Sequence, residues 1–116
     1  WEHLEMLAQN QGEHMRIKKV TDDYIEFDTG DMLRSWHEPA CCEDNYAAFK
    51  AVDDLALEAD FDQPLMFESV FGGFRFGNEG KMFFVPCYSD QNGYYTNEVD
   101  IELNGSRVLI CEGTLI

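Results

Sequence analysis

Three side chains that can bind a metal, His37, Cys41 and Cys42, lie close together in the chain. Zinc prefers imidazole and thiolate ligands, and its structural sites use about four of them at roughly 2.0 to 2.3 Å. These three residues are therefore the candidate metal ligands, and zinc is the cofactor they indicate. A fourth ligand would come from Cys87 or Cys111, provided that the fold brings one of these thiolates close.

Two other interpretations of the same residues remain open. One is a nucleophilic pair, in which Cys41 or Cys42 ionises beside the His37 imidazole. The other is a buried turn, in which the cysteines pack as small hydrophobic side chains and the histidine caps a strand end. Adjacent cysteines point in different directions, which disfavours binding of one ion by both. No oxyanion hole or orienting third group can be identified in the sequence, which disfavours an enzyme.

The charge balance limits the partners of the protein. The 116 residues include 23 Asp and Glu against 8 Lys and Arg, which gives a net charge of -15. Such a surface repels nucleic acids and anionic membranes, so we expect no direct binding to either. The charge then serves either to keep the protein soluble or to present a negative surface to a basic groove on another protein.

The length suits one domain with one hydrophobic core. We expect this domain to span residues 15–116. Residues 1–14 are polar and weakly patterned, and they are predicted to be a leader that is either left by cloning or disordered; a short natural helix is the alternative. No apolar run approaches the ~20 residues that cross a bilayer, and no signal peptide is visible, so a cytoplasmic protein with free thiols is expected.

Alternating hydrophobic residues and turn signals predict a protein rich in β-strands. The pair Asn104-Gly105 is a strong hairpin signal between the last two of these strands. The predicted strands are 16–20, 24–28, 32–37, 65–76 with a break at Gly72-Gly73, 82–88, 94–103 and 107–111.

One helix is predicted over residues 45–58. Apolar residues recur there at roughly helical spacing, and Asp44 is a plausible N-cap. The expected fold is therefore α+β but mostly β: a twisted antiparallel sheet of about six or seven strands with this helix across one face. The side chains expected in the core are Ile25, Phe27, Trp36, Phe84, Val99, Ile101 and Ile110.

The most acidic part of the chain is the stretch 38–62, which contains eight acidic residues and one basic residue, Lys50. If the charge serves recognition, this stretch is where a basic partner would dock. The candidate partner-binding residues are Asp53, Asp54, Glu58, Asp60 and Asp62.

Several short blocks of the chain resemble a family of small uncharacterised phage and prophage proteins. The most specific block is His-x3-Cys-Cys-Glu, which ends at Glu43, and a later block is Asn-Gly-Tyr-Tyr, which ends at Tyr95. The resemblance extends over roughly residues 34–100. It implies an origin in a mobile element and a location in a bacterial cytoplasm. The Ala-rich stretch after Glu43 departs from the family pattern, which is more strand-like there.

These features favour a protein-binding module over an enzyme. The expected partner is a host or competitor protein with a basic surface, and a component of a nucleic-acid-targeting defence system fits the charge. The alternatives are a small zinc-binding or thiol-based accessory protein and a structural phage component.

A zinc site in the Cys-Cys loop leads to a direct expectation. Purified protein should carry about one equivalent of zinc, and chelation should lower its melting temperature by several degrees, because bound metal stabilises only the folded state. Elemental analysis and thermal melts check both. Absence of metal from protein that was kept reduced and away from chelators would contradict the zinc interpretation.

Overall fold

The computed structural model describes residues 14–36, 44–91, 93 and 96–116, and within them the chain forms twelve strands. The strands are β1 (His14–Met15), β2 (Ile17–Val20), β3 (Tyr24–Phe27), β4 (Met32–Trp36), β5 (Asp44–Ala47), β6 (Phe61–Asp62), β7 (Met66–Val70), β8 (Gly73–Asn78), β9 (Lys81–Asp90), β10 (Glu98–Leu103), β11 (Ser106–Glu112) and β12 (Thr114–Leu115). Helical structure in these residues is limited to a 3-10 turn, Phe49–Ala51, and one α-helical turn, Leu55–Glu58.

The strands form two main sheets and a short ribbon. The first sheet has the order β11-β10-β4-β3-β2, and all its pairs are antiparallel. The second has the order β12-β9-β8-β7, with β5 also paired to β9. Its only parallel pair among the described strands is β12 with β9. A ribbon of β1 and β6 accompanies the two sheets. The expectation of a mostly β, antiparallel fold is confirmed.

The core lies between the two sheets and is rich in phenylalanine. Phe27 of the first sheet contacts Phe76 of the second, with ring centroids 6.4 Å apart, and both rings contact Phe61 of the ribbon. All three side chains are fully buried. Edge-to-face and tilted contacts of this kind add to the free energy gained from apolar burial. The three rings therefore hold the two sheets and the ribbon together.

The backbone geometry of two turns explains which residues occupy them. Asn104 and Gly105 both have positive φ, as a two-residue type I′ hairpin turn requires, and they join β10 to β11 as predicted. Gly77 has φ +145°, and a Cβ there would collide with the Lys81 carbonyl. Only glycine allows β8 and β9 to approach so closely.

The predicted helix over 45–58 and the single sheet it was to cover are both wrong. The start of this segment is strand β5, where Asn45 and Ala47 are buried, and Phe49 of the following 3-10 turn continues the spacing of two residues. The Ala48 N–H continues the pairing by donating to the Pro86 carbonyl at 2.8 Å. Alanine has the highest helix propensity, but propensity is a weak determinant of structure, so pairing with the long strand β9 overrides it. A single turn, Leu55–Glu58, is all that remains of the helix.

Four of the seven predicted core residues are buried and three are not. Ile25, Phe27, Val99 and Ile101 are fully buried, whereas Trp36, Phe84 and Ile110 are 51%, 44% and 39% exposed. Each exposed residue lies one position from an inward-facing one, and neighbours along a strand point to opposite faces. Within the first sheet, Asp100 is in register with both Trp36 and Ile110, so the three form one row across its outer face. The prediction therefore assigned these three large apolar side chains to the wrong face of their strands.

We expect Phe76→Ala to lower the free energy of unfolding by about 3 to 5 kcal/mol, because it removes a buried ring that contacts Phe27, Phe61, Phe74 and Phe83. Urea denaturation followed by circular dichroism measures the loss. The matched control is the same change at Phe71, which is fully exposed and should alter stability by no more than about 0.5 kcal/mol. Equal losses in the two variants would contradict the assigned core.

Candidate functional site: an acidic cleft

The predicted metal ligands His37, Cys41 and Cys42 lie outside the described residues. The two later cysteines, Cys87 and Cys111, lie in the core, where their Sγ atoms are 3.5 Å apart. Within the described ranges, no group of three or more His, Cys, Asp or Glu side chains is placed to hold a metal ion. The zinc site thus stays a prediction about the loop 37–43.

All five predicted partner-binding acids are exposed, but three of their carboxylates already have partners. Asp60 pairs with Arg16 at 3.3 Å, and Asp62 pairs with His14 at 3.1 Å. Asp53 accepts the backbone N–H of Leu55 at 2.9 Å and so fixes the start of the helical turn.

The remaining two acids, Asp54 and Glu58, take part in no ion pair of the described chain. Among the described acids of the stretch 38–62, Asp60 is therefore compensated by the Arg16 guanidinium, and Asp62 is compensated only by the protonated form of His14. The stretch offers a basic partner fewer uncompensated carboxylates than its composition implies.

A different group of carboxylates surrounds a cleft of about 440 Å³. We call this the acidic cleft and define it by Asp22, Asp23, Asp44 and Asp90. The two first residues belong to the turn between β2 and β3, and the other two to β5 and β9. Lys50 is the one basic residue in its lining, with its Nζ 3.9 Å from the Asp22 carboxylate. The lining thus carries four carboxylates against one ammonium group.

Two of these carboxylates repel each other across a strand pair. Asp44 and Asp90 are in direct register on β5 and β9, and like charges placed opposite one another destabilise a sheet. The next pair along, Asn45 and Ser89, is buried, and the Ser89 hydroxyl donates to the Asn45 side-chain carbonyl. That buried hydrogen bond holds the two strand ends in register despite the repulsion.

The same buried asparagine fixes the neighbouring segment. The Asn45 side-chain amide donates to the carbonyls of Thr96 and Glu98 at 2.9 and 3.1 Å. Unpaired buried polar groups cost about 1 to 3 kcal/mol each, so this network strongly specifies one arrangement. One wall of the acidic cleft is rigid as a result.

The opposite wall is a tight turn. The Thr21 hydroxyl accepts the backbone N–H groups of Asp23 and Tyr24, both at 3.1 Å, and the Thr21 N–H donates to the Tyr24 carbonyl at 2.9 Å. A side-chain turn of this kind holds the backbone of residues 21–24 in one conformation. Asp22 and Asp23 are thereby presented to solvent at the cleft.

The acidic cleft suits several separate cationic groups better than one ion. Its carboxylates are too dispersed to form a metal site within the described chain. Tyr46, half-buried in the lining and in ring contact with Tyr88 at 5.8 Å, adds an aromatic surface. Lysine and arginine side chains bind to carboxylates and stack on such rings. The lining of the cleft is therefore complementary in charge to a basic surface.

Sequence reasoning missed this site because its residues come from three distant segments. Counting charge along the chain finds only contiguous stretches, and pairing of β5 with β9 was hidden by the helix prediction. Two signals were present, since the pair 22–23 and Asp90 both fell between predicted strands. Only the fold shows that they surround one cleft.

Relief of the cross-strand repulsion gives a test of the cleft geometry. We expect Asp90→Asn to increase the free energy of unfolding by about 0.5 kcal/mol at low salt, with a smaller gain at high salt because exposed charges are screened. Urea denaturation at two salt concentrations measures this. The control Asp60→Asn removes the same charge but breaks the ion pair with Arg16, and it should give no gain. A gain as large in the control would mean that only net charge matters.

Comparison with known proteins adds no relative, since no family model, curated protein or solved structure matches this chain. The resemblance to small phage proteins stays a prediction. What the acidic cleft does follows from its own residues.

Proposed function

We propose that this protein is a small, acidic, phage-type accessory protein that binds a partner protein with a basic surface. The observation that carries the proposal is the direct register of Asp44 with Asp90 at the acidic cleft. A cross-strand pair of like charges lowers stability, and departures from local rules of this kind concentrate at functional sites. A cationic partner would remove the repulsion on binding.

The overall charge supports the same conclusion. A net charge of -15 increases the rate at which a basic partner is captured, because long-range attraction steers encounter. It also opposes binding of DNA or RNA, whose phosphates carry the same sign. No helical turn of the described chain is long and apolar enough to cross a membrane. A protein is therefore the partner that the charge favours.

The finer proposal concerns the kind of partner. A host or competitor protein that itself binds nucleic acid has a basic groove, and a surface of dispersed carboxylates occupies such a groove in place of phosphates. A component of a nucleic-acid-targeting defence system fits this description. Both the charge and the resemblance to phage proteins support it.

The test is capture of the partner from a bacterial host lysate at about 50 mM and about 500 mM salt. The Debye length at the higher concentration is roughly 4 Å, so a complex held by exposed charges should be lost.

Two variants with the same change in net charge distinguish the acidic cleft from residues 53–62 as the binding site. Asp22→Asn, Asp44→Asn and Asp90→Asn together neutralise the acidic cleft, and we expect about a tenfold weaker affinity, which corresponds to about 1.4 kcal/mol.

The matched control neutralises three acids outside the acidic cleft through Asp53→Asn, Asp54→Asn and Glu58→Gln. It should bind within about twofold of the native chain. Loss of binding in the control alone would move the interface to the stretch 53–62. Capture that survives both variants and high salt would mean that the acidic surface only keeps the protein soluble. Recovery of the protein's own chain as the sole captured species would favour a structural role.

A further inference from the structure

The two described cysteines form an isolated pair in the core. The Sγ atoms of Cys87 and Cys111 are 3.5 Å apart, and both side chains are buried. Cys87 lies on β9 of the second sheet, and Cys111 lies on β11 of the first. The pair is thus a sulfur contact between the two sheets. A disulfide needs an S–S distance of about 2.05 Å, so the sulfurs would have to approach by about 1.5 Å.

The two cysteines differ in their surroundings. The backbone of Cys87 has neighbours on both sides. Cys87 is in register with Ala47 of β5, and its N–H donates to the Gly72 carbonyl at 2.9 Å. Cys111 pairs with Val99, lies on an edge strand among the described strands, and lines a groove of about 760 Å³. Phe71, Gly72 and Ile110 line the same groove. A small solute in the groove reaches Cys111 before it can reach Cys87.

Their hydrogen bond makes them chemically unequal as well. The hydrogen bond with Cys87 lowers the pKa of the Cys111 thiol, although burial and the Asp100 carboxylate oppose this effect. The same hydrogen bond, together with burial, raises the pKa of Cys87. The thiolate is the nucleophilic form of cysteine. Within the pair, the negative charge therefore favours the sulfur that lies beside the groove.

We propose that Cys87 and Cys111 are a peroxide-sensitive dithiol, in which Cys111 reacts first through the groove and Cys87 closes a disulfide between the two sheets. This assignment is independent of the acidic cleft and of the proposed partner. The oxidant is hydrogen peroxide, which is small enough to enter the groove.

Hydrogen peroxide oxidises the two thiols to a disulfide in two steps. The Cys111 thiolate attacks one peroxide oxygen, so that an S–O bond forms and the O–O bond breaks. The departing hydroxide takes up the proton that Cys111 had lost and leaves as water. The Cys87 sulfur then attacks the resulting sulfenic acid, so that the S–S bond forms and the S–O bond breaks. The proton of Cys87 leaves with the hydroxide as a second water. The two thiols lose two electrons, and one peroxide becomes two waters.

The disulfide would link strands that belong to different sheets and lie 24 positions apart in the chain. Such a link reduces the freedom of the unfolded chain, so the oxidised protein should melt several degrees higher than the reduced one. Added dithiothreitol should reverse the increase.

Tryptic mapping of the native chain tests the proposal directly. Trypsin cuts after Lys81 and Arg107, so it places the two cysteines on separate peptides, 82–107 and 108–116. Cys41 and Cys42 fall on a third peptide, 35–50. After treatment with peroxide, alkylation in denaturant and digestion, we expect peptides 82–107 and 108–116 to be joined and to separate on reduction.

Two variants assign the order of the steps. In Cys87→Ser, oxidation should stop at the sulfenic acid, and dimedone should label peptide 108–116. In Cys111→Ser, neither a joined peptide nor a dimedone adduct on 82–107 should form. Circular dichroism of each variant establishes that the fold persists.

The native chain decides the matter even if a variant does not fold. Oxidation of the cysteines of peptide 35–50 shows that the peroxide has reacted with the protein. The proposal would be overturned if peptides 82–107 and 108–116 were then recovered separately, each with its cysteine alkylated. Further oxidation of Cys111 to a sulfinic acid in the native chain, without the joined peptide, would overturn it equally. A dimedone adduct on 82–107 in the Cys111→Ser variant would contradict the assigned order.

Discussion

The contact of Phe27, Phe61 and Phe76 is the interaction on which the rest of the structure depends. These residues come from the first sheet, the ribbon and the second sheet, so one cluster of rings joins all three. Neither sheet could bury its inward face alone, and a two-layer arrangement is the usual solution. The acidic cleft exists because this packing sets the turn of β2 and β3 near the end of β9.

The cleft and the cysteine pair share one strand. Strand β9 is ten residues long; its first part pairs with β8, and its last part pairs with β5 and β12. Cys87 and Ser89 of this strand point into the protein, while Asp90 ends it at the cleft. The buried Asn45–Ser89 hydrogen bond therefore stands between a core site and a surface site. Pairing of β9 with β5 on one side and with β12 on the other explains how it tolerates the repulsion between Asp90 and Asp44.

Much of the fold could be predicted from sequence, but the site could not. Alternation and turn residues located most strands, and Asn104-Gly105 gave its hairpin correctly, because these signals are local. The helix prediction failed at 45–58 since pairing with β9 is a distant interaction that alanines do not reveal. The prediction that Trp36 is buried was wrong, because this large hydrophobic side chain lies on the outer face of its strand. Clustering of Asp22 with Asp90 is likewise a property of the folded chain alone.

The row formed by Trp36, Asp100 and Ile110 on the outer face of the first sheet has a consequence for the behaviour of the protein at high concentration. Apolar side chains on exposed strands promote stacking of one molecule on another into insoluble assemblies. Asp100 stands between the two apolar residues in register and pairs with Arg107 at 3.8 Å. A charged side chain in that position interrupts the exposed apolar surface. One central carboxylate thus separates the tryptophan from the isoleucine on the outer face of this sheet and opposes association through that row.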